Sequence, residues 1–184
     1  MEDLSGHLLD IVENAVRVGA KCVWVELEQD PDADRIRLCI RDDGPGIALE
    51  GDPADPFVTT KREKAVGLGL SFLRQAALEA GGRFEIKTEP GKGTAVEAVF
   101  RASHPDCKPL GDLIGTLRAL FAVFPEISFH VTLSLGGRRM EVDTEELRAR
   151  LNGQPFRFLI WLQAVDDRLR ELAGFLERAT QSQE

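Results

Sequence analysis

The chain has 184 residues, 43% of them hydrophobic and 29% charged, which is enough for one good core with a modest appendage and ordinary for a soluble protein. A formal net charge of −8 excludes a protein-wide positive field able to neutralise nucleic-acid phosphates. The most apolar stretch, residues 156–165, falls well short of the roughly 20 residues that span a bilayer, so neither nucleic acid nor membrane is an expected partner.

Cys22, Cys39 and Cys107 are too few and too scattered for a zinc ribbon or a disulfide framework. They read as reduced thiols of a cytoplasmic protein, with Cys22 and Cys39 as packing residues inside apolar runs. Lys61, Arg62 and Lys64 form a local basic cluster, of a size that commonly lines a solvated loop.

Residues 4–18 predict a helix, because Leu4, Leu8, Ile11, Ala15 and Val18 recur at helical spacing, and Gly19 ends it. Alternating apolar residues predict strands over 22–28 and 35–41, joined by a polar hairpin loop at 29–34. Residues 42–66 carry glycines, prolines and charges without a period and read as loop. A helix follows over 69–80, stopped by Gly81 and Gly82, and then strands over 83–88 and 94–101 flank the turn 89–93.

The pattern restarts after His104 and Pro105. We therefore expect one domain over 1–103 and a small α+β module of unassigned role over 104–184. That module reads as a helix at 113–124, a hairpin built on Phe129, Val131, Leu133, Leu135, Met140 and Val142, and a helix start at 143–146. A long amphipathic helix follows over 156–178, with Phe158, Leu162, Val165, Leu169, Leu172 and Phe175 as its apolar stripe, and the tail 181–184 reads as disordered.

Three short patterns carry chemistry. Asp10, Asn14 and Arg17 are spaced to share one stripe of the first helix, placing an acid, a neutral oxygen ligand and a cation side by side. Asp42-Asp43-Gly44-Pro45-Gly46-Ile47 follows a strand as a tight turn where a flat ligand could approach the backbone. Gly67-Leu68-Gly69-Leu70 precedes a helix, whose free N–H groups and dipole favour a phosphate. Each alone is also ordinary surface or loop punctuation.

Together, in this order and with Pro56-Phe57-Val58-Thr59-Thr60-Lys61 between the second and third, they resemble the gyrase, heat-shock chaperone, histidine kinase and mismatch-repair (GHKL) ATPase superfamily. The chain looks most like a stand-alone histidine-kinase-like ATP-binding domain. Residues 10–20 resemble the family's N-box, 42–46 its D-x-G-x-G box, 56–61 the phenylalanine box and 67–70 its second glycine box. Gly91-Lys92-Gly93-Thr94 is similar to the turn before the last strand. The resemblance covers about residues 4–101.

The resemblance implies a two-layer α/β sandwich of the Bergerat type, a mixed sheet with helices on one face, binding ATP and Mg2+. It implies Asp42 as acceptor for the adenine amino group, Thr94 as holder of a water on the base, and Asn14 as the magnesium ligand. Arg17 and Lys61 become phosphate contacts, and Gly44, Gly46, Ile47, Thr60, Gly67, Leu68, Gly69 and Leu70 complete the ATP site. Asp10 takes the catalytic position usually held by glutamate in members that hydrolyse ATP efficiently; being one methylene shorter, it implies slow hydrolysis.

No acceptor-histidine hairpin fits ahead of residue 10, and His7 reads as a pocket-rim or capping residue. The expected function is transfer of the γ-phosphoryl group to a partner protein in trans; the alternative is an ATP-gated interaction switch. A nucleic-acid-processing ATPase ranks third because of the acidic charge. The identity of the partner and the oligomeric state stay open, a homodimer among the options.

Overall fold

A computed structural model of the chain describes residues 3–46, 68–151 and 158–181. The expected loop beyond Gly46, the lid region and residues 182–184 lie outside the described residues.

Helix α1, Leu4–Arg17, starts at Asp3, whose carboxylate accepts from the Gly6 N–H at 2.8 Å. The next two amides, of Leu4 and Ser5, donate to the carbonyls of Pro109 and Leu110, both at 3.0 Å. The start of α1 is therefore held by chain that follows the expected boundary near residue 103. Its core side is Leu4, Leu8, Ile11, Val12 and Ala15, whereas Val18, expected on that stripe, is 60% exposed because the helix has already ended.

Strands β1 (Cys22–Asp30) and β2 (Arg35–Asp42) form the expected hairpin, followed by α2 (Leu68–Glu79), β3 (Arg83–Glu89) and β4 (Gly93–Arg101). The second half supplies α3 (Leu113–Val123), β5 (Ser128–Leu135), β6 (Arg138–Asp143), α4 (Thr144–Arg150) and α5 (Phe158–Gln181). Among the described residues all six strands belong to one sheet, ordered β3-β4-β2-β1-β5-β6. It is mixed: β1 runs parallel to β5, and every other neighbouring pair is antiparallel.

Alternation along the strands sorts the two faces. Val23, Val25, Leu27, Leu38, Ile40, Val96, Ala98, Phe100, Phe129, Val131 and Leu133 are all buried and belong to the same core as residues of α1, α2, α3 and α5. The result is the two-layer α/β sandwich, with one core shared by both halves of the sequence. The other face is polar, as one face of a largely antiparallel sheet can be. Across it Arg37 pairs with Glu26 at 3.1 Å and Glu97 at 2.7 Å, and Glu97 also takes Arg83 at 3.0 Å.

Two packing expectations are corrected by this sorting. Cys22 and Cys39 alternate onto the polar face and are only half-buried, because an odd–even register that buries Val23 and Ile40 must turn the cysteines outward. In α5 the stripe begins at Trp161, fully buried with its indole N–H on the Phe121 carbonyl at 2.9 Å, while Phe158 is 48% exposed and Leu162 only half-buried.

Candidate functional site

The polar stripe of α1 forms as its spacing requires: Asp10 and Asn14 are half-buried and Arg17, in the last turn, is exposed. Against it stands the beginning of α2. Gly69 is buried there, and a Cβ on it would lie 1.8 Å from Asp10 Oδ2. A side chain at position 69 would have to displace the Asp10 carboxylate, so glycine here leaves that carboxylate its place. The contact places the carboxylate of Asp10 beside the first turn of α2, where backbone N–H groups have no partner within the helix.

The second group gathers where β2 ends. Asp42 pairs with Thr94 in the β2–β4 register, and its Oδ1 accepts from the Gly44 N–H at 2.8 Å. Burial raises the pKa of Asp42 above the ordinary aspartate value, and outweighs the hydrogen bonds from the Gly44 and Thr94 backbones that pull it down. A half-buried acceptor of this kind is costly unless something pairs with it. The Thr94 hydroxyl lies 3.2 Å from that of Thr88.

Asp43 does different work from its neighbour. Its Oδ1 accepts from the amides of Lys21 and Cys22, at 2.7 and 2.8 Å, and so fixes the start of β1 to the end of β2. Gly46, at φ +69°, passes so near the β3–β4 turn that a Cβ would stand 2.2 Å from the Glu89 carbonyl oxygen, and Gly91 N–H donates to the Pro45 carbonyl at 2.7 Å. The glycines of the D-x-G-x-G segment thus serve chain-to-chain packing as well as any ligand.

The two groups meet through Ala20, just past α1, which would be 3.6 Å from a Cβ on Gly44. Asp10, Asn14, Arg17, Asp42, Gly44, Gly46, Gly69, Leu70 and Thr94 all lie in described segments, and Leu68 opens α2. Ile47, Thr60, Lys61 and Gly67 lie outside the described residues. Sequence reasoning missed the clamp by Asp43, for which the adjacent acid pair after a strand is the available signal.

His7 is neither at a pocket rim nor a cap. It is 1% exposed, neither ring nitrogen has a hydrogen-bond partner, and burial lowers its pKa. Asp3 makes the cap instead. Leu4 and Leu8 belong to the core, and position 7 shares their side of the helix.

A mixed sheet carrying a half-buried acid at a strand end, with an acid–amide–cation helix stripe and a helix with glycine in its first turn beside it, is the arrangement that the sequence resemblance implies. Residues 2–104 match the family described as histidine kinase-, DNA gyrase B- and HSP90-like ATPase, and the chain belongs to that family. Membership makes this segment an ATP-binding domain. The Caulobacter vibrioides non-motile and phage-resistance protein is 31% identical over 118 residues, covering 58% of this chain and 14% of that protein. Sensor protein kinase PilS of Pseudomonas aeruginosa is 30% identical over 109 residues, covering 55% and 20%. The chain thus spans a small part of these relatives' length. The Aquifex aeolicus MutL ATPase domain complexed with ADP shares the fold, with a TM-score of 0.51 at 16% identity over 91% of this chain and 70% of that one.

Proposed function

We propose that the chain binds Mg·ATP and passes its γ-phosphoryl group to a partner protein in trans. The observation that carries this reading is the closure of Gly69 on Asp10, which sets a carboxylate next to a helix start suited to phosphate. Asp42 is the acceptor for the adenine amino group, with Thr94 beside it; Asn14 is the magnesium ligand, and Arg17 and Lys61 contact phosphate. The residues fit the nucleotide: a partly desolvated acceptor at Asp42, a helix with glycine in its first turn, and an amide on the intervening stripe.

In the transfer step the bond between the γ-phosphorus and its bridging oxygen breaks, a bond forms to the partner's nucleophile, and ADP leaves. In this reading Asp10 receives the nucleophile's proton. Positioning and charge supply most of such catalysis, and aspartate reaches less far than glutamate, so water is a poor acceptor here. Of the three histidines in this sequence, His7 is buried, His104 sits by Gly81 beyond the far end of α2, and His130 is on the polar face of the sheet. None stands at the candidate site, so none of the three is the acceptor in this reading.

Segment 104–184 then acts as an accessory layer of unassigned role, and the protein as a signalling component of the cytoplasm. Three free cysteines agree with that compartment, and no helix among the described residues is long and apolar enough to cross a membrane. Incubating the full chain with γ-labelled ATP and its native lysate tests the reading. A labelled partner band that disappears with Asp42→Asn supports transfer. ATP binding without any labelled protein makes the chain an ATP-gated switch.

A further inference from the structure

A row of four side chains crosses the polar face of the sheet at the end nearest Asp42. Trp24 on β1 is in register with Arg41 on β2 and with His130 on β5, and His130 is in register with Asp143 on β6. Alternation puts Arg41 on the face opposite its neighbour Asp42, so the row lies behind the candidate nucleotide site. The Arg41 guanidinium sits 4.7 Å above the Trp24 ring. Trp24 and His130 stack at 5.6 Å with 13° between planes, and His130 Nδ1 is 2.9 Å from Asp143 Oδ2.

The row ends in a corner where three potential ligands converge. The other oxygen of Asp143 caps α4, accepting from the amides of Glu145 at 2.7 Å and Glu146 at 3.3 Å. Glu145 accepts from the Ser128 hydroxyl at 2.7 Å, and Ser128 is held in turn by Arg148 at 2.7 Å. One ring nitrogen of His130 and one carboxylate oxygen each from Asp143 and Glu145 lie within 4.8 Å of one another.

We propose that His130, Asp143 and Glu145 form a binding site for one divalent transition-metal ion of the zinc class. Two carboxylates offset the charge of a dication, while the imidazole favours zinc-like ions over magnesium and calcium. A tetrahedral zinc ion with bonds of about 2.0–2.1 Å holds its ligand atoms roughly 3.3 Å apart. The His130–Asp143 pair needs to open by only a few tenths of an ångström, and the exposed Glu145 side chain closes the remaining distance. Ligation uses the Nδ1 lone pair of His130, with the ring proton on Nε2.

Two of the three ligands are pre-organised: Trp24 orients the imidazole plane and the α4 cap holds Asp143, so the exposed Glu145 side chain is the one that moves when an ion arrives. Three protein ligands leave a fourth position for water or an outside donor. The site shares no residue with the candidate nucleotide site, and its existence does not depend on the reading of that site.

The test is a titration of the full, nucleotide-free chain with Zn2+ against a chromophoric chelator, together with tryptophan emission as a reporter of the ring stacked on His130. One equivalent should bind, with a change in emission, and a large excess of Mg2+ should not displace it. His130→Ala and Glu145→Gln should each weaken binding by at least about tenfold. Glu145→Gln retains the Ser128 hydrogen bond and the backbone cap, so its loss of affinity reads ligation and not folding. Absence of Zn2+ binding up to about 1 mM, displacement by Mg2+, or wild-type affinity in both variants overturns the proposal.

Discussion

Gly69 and Asp10 touch across the α1–α2 contact so closely that a Cβ at position 69 would lie 1.8 Å from Asp10 Oδ2 and 3.3 Å from Asp10 Cβ. The obstruction is therefore mostly the carboxylate, the movable end of a side chain. Gly69→Ala should keep the fold, at a cost of about 1–3 kcal/mol for overpacking. It should weaken ATP binding by roughly tenfold or more, since charge-assisted hydrogen bonds to phosphate are worth about 1.5–3 kcal/mol. Titration calorimetry reads the loss. Adding Asp10→Ala to Gly69→Ala should restore much of the affinity; a double variant no better than the single would place the cause elsewhere.

Asp42 supplies a pH prediction. Its carboxyl is held above the ordinary aspartate range by burial, and only the ionised form accepts freely from an adenine amino group. As pH falls, the carboxylate protonates at a higher pH than an exposed aspartate would, near 3.9 for an unperturbed one, and base affinity falls with it. Adenosine, lacking phosphates that titrate, is the suitable probe at pH values where its own base stays neutral. Wild-type affinity should decline on acidification, while Asp42→Asn should bind weakly at every pH.

Asn14 shares the half-buried part of the α1 stripe with Asp10. If it supplies a side-chain oxygen to magnesium, Asn14→Ala should lower ATP affinity in magnesium buffer and leave the affinity in chelator nearly unchanged. The two titrations decide between a metal ligand and a polar surface residue: an equal response to magnesium in both proteins makes it the latter.

The elements of the fold were largely legible because their periods were clear. Leu38 and Ile40 alternate, Leu4, Leu8 and Ile11 recur, and Asp143 precedes Glu145 and Glu146 as a cap should. What joins the halves was not legible. The parallel pairing of Cys22 with Ser128 links segments far apart in sequence, and neither strand's pattern names its neighbour. The cysteines were misplaced because a thiol counts as apolar in a hydrophobic run, while register alone decides which face it takes. Of the candidate site, the acid–amide–cation stripe could be read from spacing, while the role given to Asp42 comes from the family resemblance. The proximity of Asp10 to Gly69 is a product of helix packing that no local pattern contains.

His7 carries the last prediction, one of stability. Both ring nitrogens are buried without hydrogen-bond partners, a cost of about 1–3 kcal/mol, and burial is the main cause of a folded-state pKa below 6.5, with Asp3 and Asp10 pulling upward and Lys108 downward. The unfolded chain therefore binds more protons than the folded one once pH drops below about 6.5. Stability rises with pH wherever the unfolded state is the more protonated, so this contribution is intact above that pH and is lost as pH falls toward the lowered folded value. His7→Leu removes both the unpaired nitrogens and the titration. Its melting temperature should match or exceed that of the wild type at pH 8, and the difference should widen at pH 5, by roughly 2–4 °C for each kcal/mol in a chain of this size. A gap that stays constant on acidification would show that folding leaves the proton affinity of His7 unchanged, and one that narrows would show that folding raises it.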